Sequence, residues 1–201
     1  GKNMLVDEFG KDYGNYFSIL SAIASGNTTR GEIKSYTGIE PGGFLDNLEK
    51  DYDIVQKRRP YLSGDNSRKV RYCLSDNFLN FWFRFIYKYR SAVEIQNMQY
   101  VQDKVFADYD TYSGLILEKY ARQLFVESGE YNIVTGYWGK DEKDEIDIVA
   151  VNETERKVVI CEVKRNPDKI DLKTLTAKAH AITHHHNGWE IELRAISLND
   201  M

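Results

Sequence analysis

Cysteine is scarce in this chain: Cys73 and Cys161 are the two among 201 residues. Both sit in apolar runs that read as strands, so a disulfide scaffold is excluded and buried free thiols in a reducing, cytoplasmic setting are expected. Proline occurs three times and no low-complexity run is present, which argues against a long disordered linker. Long apolar runs are missing too. The longest, from Phe81 to Tyr87, is interrupted by Arg84 and falls far short of the roughly 20 residues of a membrane-spanning helix. No transmembrane helix, no signal peptide and no membrane partner are expected. Neither sign of charge dominates, with 27 basic against 31 acidic side chains and a net charge of -4. The balance is uneven along the chain: residues 1–100 carry 14 basic and 12 acidic groups, the remainder 13 and 19. A uniformly basic nucleic-acid binder is thereby excluded, and any phosphate contact must come from local patches or bound cations. Also absent is Gly-x-x-x-x-Gly-Lys-[Ser/Thr]; Gly136 and the pair Gly139-Lys140 do not meet its spacing, so no phosphate-cradling loop is available. No Gly-x-Ser-x-Gly elbow occurs, and neither cysteine has the surroundings of a catalytic nucleophile.

What is present is 42% hydrophobic and 29% charged sequence, enough chain for one large domain or two small ones with cores of their own. Residues 16–76 carry three short helical patterns and then two strands. Tyr16, Ile19, Leu20 and Ile23 recur at helical spacing up to Gly26. Thr29 with Glu32 three residues on is a capping box, and Gly38 closes that second helix. The third follows Pro41 and Gly42 with Phe44, Leu45 and Leu48 on its apolar face. Ile54 and Val55 lead to a polar loop, Pro60 to Ser67, from which Val70, Tyr72 and Leu74 alternate as a strand. Three helices and a hairpin make a winged helix over residues 1–76, the alternative being a generic small α+β unit. Residues 77–112 read as an aromatic helical connector, with Phe78, Phe81, Trp82, Phe83, Phe85, Tyr87 and Tyr89 serving core packing between elements.

From residue 113 to 201 the pattern becomes helix, three strands, helix, strand, an α/β domain with helices against a mixed sheet; the chain as a whole is α+β. Leu117, Tyr120, Ala121, Leu124 and Phe125 form a helical stripe ending at Gly129, and Leu172, Leu175 and Ala179 mark a later one. Strands are expected over 131–138, 145–151, 157–164 and 189–198.

Two of these strands carry acid where burial is expected. Period-two alternation puts Ile146, Ile148 and Ala150 on one face and Asp147, Val149 and Val151 on the other, so Asp147 shares a face with valines. On the next strand Glu162 and Lys164 continue the apolar face of Val158 and Ile160. A buried, unpaired carboxylate costs several kcal/mol, so these charges need each other or a metal ion. Two carboxylates and a carbonyl form a hard oxygen set suited to Mg²⁺ or Mn²⁺. A lysine beside them can orient water or stabilise a phosphoryl transition state, the requirements of phosphodiester hydrolysis. Glu118, at the edge of the preceding helical stripe, is a fourth candidate, and Glu145 rivals Asp147 for the metal. The structural alternative is a salt bridge at a sheet end.

Glu118, Asp147, Glu162 and Lys164, in helix-strand-strand order, resemble the active site of the restriction-endonuclease-like PD-(D/E)XK nucleases, with Ile146 where the motif has its proline. The stretches DEFGKDYGNYFSILSAIA, DNFLNFWFRF, EIDIVAV and ICEVKR are similar to the C-terminal region of prokaryotic AAA-type (DEXX-box) ATPases. That resemblance covers nearly the whole chain. It implies a winged helix followed by a nuclease-like domain, in a fragment of a longer protein whose ATPase domain, with its bound ATP, lies elsewhere. It implies Mg²⁺ (or Mn²⁺) held by Asp147, Glu162 and Glu118, with Lys164 assisting the attacking water.

DNA binding by the winged helix is expected through its wing. The third helix carries Asp46, Glu49 and Asp51 against Lys50, and acid there is repelled by phosphate. Lys57, Arg58 and Arg59 precede the wing loop and Arg68, Lys69 and Arg71 follow it. A winged helix that docks a partner protein or the ATPase domain, with no catalysis, is the competing class. His180, His184, His185 and His186 have no Cys or carboxylate spaced to complete a zinc site, and read as the exposed end of a helix before Asn187-Gly188.

Overall fold

The computed structural model describes residues 2–64, 67–139 and 144–200; part of the polar loop Pro60 to Ser67, and Lys140, lie outside them. The helices are α1 (Lys2–Phe9), α2 (Tyr13–Ala24), α3 (Arg30–Thr37), α4 (Gly42–Lys50), α5 (Asn77–Phe81), α6 (Arg90–Glu94), α7 (Met98–Glu127) and α8 (Leu172–Thr183). The strands are β1 (Val55–Arg58), β2 (Arg71–Leu74), β3 (Ile133–Tyr137), β4 (Ile146–Asn152), β5 (Lys157–Val163) and β6 (Glu190–Ile196). This is a mixed α/β protein with a small antiparallel sheet and a four-stranded mixed sheet. No helix among the described residues is long and apolar enough to cross a membrane.

The chain divides into two compact units, one of Gly1–Arg58 with Val70–Ala107 and one of Arg59–Lys69 with Asp108–Met201. In the first, α2, α3 and α4 precede the hairpin of β1 and β2, which pair antiparallel from Val55↔Leu74 to Arg58↔Arg71. The capping box forms as its spacing requires. Thr29 Oγ1 accepts from Glu32 N–H at 3.3 Å while Glu32 Oε2 accepts from Thr29 N–H at 2.8 Å, and Gly38 ends α3 at φ +72°. The core gathers Phe17, Ile19, Leu20, Ile33, Leu45, Leu48, Tyr72 and Phe83. Phe17 is enclosed by the edges of Phe9, Tyr13, Trp82, Phe83 and Tyr87, with ring centroids 5.2–6.0 Å apart. The aromatic run thus supplies the core of this unit, while Phe78 stays exposed. Its stretch Trp82–Tyr87 is π-helical, with Lys88 N–H donating to the Phe83 carbonyl five residues back.

In the second unit the sheet order is β3-β4-β5-β6, antiparallel except for the parallel pair β5 and β6, which α8 connects in sequence. Leu117, Ala121 and Phe125 of α7 cover one face, against Ile148, Ala150, Val159, Cys161 and Val163. Leu175, Ala179 and Ile182 of α8 cover the other, against Ile146, Val149, Val151, Val158 and Ile160. Both faces being covered explains the near-continuous apolar runs of β4 and β5.

Three sequence expectations change. No element boundary falls at residue 112, because α7 runs unbroken from Met98 to Glu127; the division of the chain lies within it, between Ala107 and Asp108. Ile146 packs with Val149 and Val151 on the α8 face rather than with Ile148. A register shift between Thr135 and Tyr137, opposite this end of β4, accompanies the break in alternation. The histidine run is not wholly exposed. His186 is buried, bonded through Nε2 to the Tyr61 hydroxyl at 2.9 Å and packed beside Trp189.

Candidate functional site

The broken alternation leaves Asp147 at the point where β4 parts from β5. Backbone pairing of the two strands ends at Ile148↔Cys161, whereas β5 continues beside β6 to Val163↔Ile196. The Val163 N–H, which faces the side β4 has left, donates instead to Asp147 Oδ2 at 2.8 Å. Asp147 therefore projects into the notch between the strands and does not share the valine face. Its carbonyl accepts from an Arg122 guanidinium nitrogen at 3.3 Å.

Glu162 and Lys164 lie on the continuing part of β5 and just past its end. Lys164 Nζ donates to Glu162 Oε1 at 2.7 Å and stands 3.5 Å from Asp147 Oδ2, so one ammonium serves the carboxylates of both strands. Lys164 is held in place by its own N–H, which donates to the Ile196 carbonyl of β6 at 2.9 Å. Glu162 has a second cation: Lys178 Nζ of α8 is 3.5 Å from Oε2, a buried oxygen that accepts no hydrogen bond. The two lysines differ in setting, since Lys164 is 35% exposed and Lys178 19%.

Glu118 reaches the same neighbourhood from α7. Burial pushes its carboxyl up to about 7, the Asp147 charge adds to the effect, and Arg122 and Lys164 oppose it. Asp147 is likewise raised by burial, against the pull of the Val163 N–H and Lys164; Glu162 and Glu145 push it further up. Burial alone would lower the Lys164 ammonium, but its hydrogen bond to Glu162 and the Asp147 charge turn the balance upward. A half-buried acid poised near neutrality beside a firmly charged lysine is the division of roles that acid-base chemistry uses.

Glu118, Lys164 and Val163 line a cleft of about 540 Å³, together with Thr111, Arg165 and Lys169. All four sequence candidates of the second unit are thus brought to one region. Among the described residues, no three His, Cys, Asp or Glu side chains converge as a metal-ligand set. The histidines form none, and neither do the three acids taken together.

The wing candidates are spread differently. Lys57, Arg58 and Arg71 are half-buried on the hairpin, with Arg58 directly opposite Arg71, while Arg59, Arg68 and Lys69 are exposed. Arg59–Lys69 clusters with the second unit. There the Arg59 carbonyl accepts from Thr135 Oγ1 at 2.7 Å and Tyr61 N–H donates to the Gly136 carbonyl at 2.8 Å. On α4, Asp46 pairs with Arg30 at 3.5 Å.

Lys178 and Arg122 escaped the reading of the sequence, although a signal existed for each. Lys178 occupies an inward position of α8, three residues after Leu175 and four before Ile182, and Arg122 follows Glu118 by one helical turn.

The second unit is accordingly an α/β domain whose sheet opens at one end onto paired carboxylates and a lysine. Residues 82–181, which contain all four candidates and Lys178, match the family DUF234, described as archaea bacterial proteins of unknown function. The family match overlaps this domain without following its bounds, since it begins within the first unit and ends before β6. The chain is 33% identical over 158 residues to an uncharacterized protein of Methanocaldococcus jannaschii; the alignment takes in 74% of the chain. It covers 35% of that relative, so the chain spans about a third of its length. No solved structure matches the chain significantly.

Proposed function

We propose that the second unit hydrolyses phosphodiester bonds of nucleic acid with a divalent cation, in the manner of restriction-endonuclease-like PD-(D/E)XK domains. The observation that carries this reading is the Lys164 ammonium between Asp147 and Glu162, where two strands part beside an open cleft. The donor set fits a hard cation. It offers two carboxylates from adjacent strands, and Glu162 Oε2 is buried without a hydrogen-bond donor. Asp147 and Glu162 would hold Mg²⁺ or Mn²⁺, with Glu118 at the edge of the site. When bound, the ion would supply positive charge to a phosphoryl oxygen and make water more acidic.

The protein's own groups account for the rest. Lys164, charged and fixed by the β6 carbonyl, places a donor where negative charge develops on phosphate. Glu118, half-buried and with its carboxyl pushed up to about 7, can hold or release a proton at the cleft wall. The first unit has the element order of a winged helix, and the exposed basic residues Arg59, Arg68 and Lys69 of the loop between its hairpin strands, which clusters with the second unit, would supply nucleic-acid contact. In the parent protein these units would serve an ATPase domain of the AAA type.

The adaptor reading has one observation in its favour, because Lys164 bridging two carboxylates is also what a structural ion pair looks like. Calorimetric titration with Mn²⁺ separates the readings. The chain should show one site that Asp147→Asn removes, and should nick plasmid DNA in Mn²⁺ with loss of that nicking in Lys164→Met. Equal Mn²⁺ binding by the parent and Asp147→Asn, with no nicking by either, leaves the adaptor.

A further inference from the structure

Resting on that reading, we propose that Arg165 is the residue that grips the substrate phosphate next to the scissile one, and that Asp110 occupies it until substrate arrives. Arg165 follows Lys164 directly and lines the same cleft as Glu118, Lys164 and Lys169. Its guanidinium does not point away into solvent. It forms an ion pair with Asp110 on α7 and lies over the Tyr109 ring, 5.3 Å from the centroid. The aromatic face fixes the plane of the fork, which is the requirement for two parallel bonds to a phosphate.

The Asp110 carboxylate has the charge and the paired acceptor oxygens of a phosphodiester, and it sits at the cleft lining opposite the exit of β5. Its side chain is 91% exposed, so water screens the pair and the contact is weak. A phosphodiester that also meets Lys164 and Lys169 in the cleft outcompetes it, because three cations then act on one chain of phosphates. The ligand class is therefore a nucleic-acid backbone, read through its phosphates and not its bases. In that arrangement Asp110 suppresses weak, single-phosphate binding and yields to a polyphosphate strand.

Fluorescence anisotropy with a 20-nucleotide single-stranded DNA, in EDTA so that no cleavage occurs, tests this on the whole chain. Arg165→Gln should weaken binding about tenfold and lower the salt slope by about one. Asp110→Asn should tighten it about threefold. The decisive measurement is the double variant. If Asp110 acts by holding Arg165, Asp110→Asn has no effect once Arg165 is Gln; if it merely repels DNA, the threefold gain persists and the proposal falls. It falls as well if the parent chain binds no DNA, or if Arg165→Gln binds like the parent. The nuclease reading is judged separately, by nicking in Mn²⁺: the expected binding pattern without nicking upholds the Arg165 assignment and removes the hydrolysis.

Discussion

Glu162 should tolerate the loss of either of its lysines but not of both. Its two oxygens are served separately, Oε1 by Lys164 at 2.7 Å and Oε2 by Lys178 at 3.5 Å, in a side chain that is 12% exposed. Lys164→Met leaves Lys178 to neutralise the carboxylate, and since Lys164 is itself about a third exposed the part of the loss that comes from Glu162 should be near 1 kcal/mol, apart from what Asp147 loses. Lys178→Met should cost a similar amount, with Lys164 still hydrogen-bonded. Removing both strands a buried charge, for which about 3–5 kcal/mol is the usual penalty. The double variant should therefore exceed the two singles combined by roughly 1–3 kcal/mol. Native-state hydrogen exchange of the Ile160 and Cys161 amides, at the centre of β5, reports opening of this unit without requiring the whole chain to unfold together. A full loss of about 3–5 kcal/mol on Lys164→Met in an Asp147→Asn background, where Glu162 is the carboxylate left to lose its partner, would refute the argument, since Lys178 would then contribute nothing. Strict additivity would refute it equally. The outcome also bears on function: a Lys164→Met variant that stays folded but no longer nicks DNA is the combination that catalysis requires.

Two further outcomes follow from buried and half-buried titratable groups. Glu118, raised from 4.5 to about 7, binds a proton in the native state that the unfolded chain has already released. Its contribution is therefore fully present below pH 4.5 and is lost as the pH rises through 7, on the order of 3 kcal/mol shared with Asp147. Glu118→Gln should flatten that fall between pH 5 and 8 and be the more stable protein at pH 8, as urea unfolding followed by circular dichroism would show; a parent chain with no such slope contradicts the assignment. Tyr61→Phe should cost about 1–2 kcal/mol, because it strips His186 Nε2 of its 2.9 Å partner while the buried Nδ1 already has none. Hydrogen exchange in β3 would register that loss, and a change within a few tenths of a kcal/mol would show that water replaces the hydroxyl.

Local chemistry was legible in the sequence by itself. The capping box of Thr29 and Glu32 and the left-handed Gly38 are set by contacts within one helical turn, so they could be read from spacing alone. The order of helices and strands followed from hydrophobic period, and the apolar face of β5 emerged as its period requires; on α8 Leu175 and Ala179 are buried while Leu172 is exposed. Glu118, Asp147, Glu162 and Lys164 could be singled out because charge interrupts runs that must be buried. What the tertiary structure decided depends on neighbours distant in sequence. Asp147 left the valine face because β4 parts from β5 after Ile148, a choice made by strand pairing and not by alternation. His186 was buried by Tyr61, 125 residues away along the chain, and Lys178 was drawn to Glu162 only once α8 lay on the sheet. Aromatic density in 77–87 announced a core without saying whose, and Phe17 answered that by taking Trp82, Phe83 and Tyr87 around itself. Periodicity fixes which residues seek burial; packing alone fixes which partners they find, because the same apolar face fits many surfaces and a charge at its edge pairs with whichever counter-charge the fold delivers.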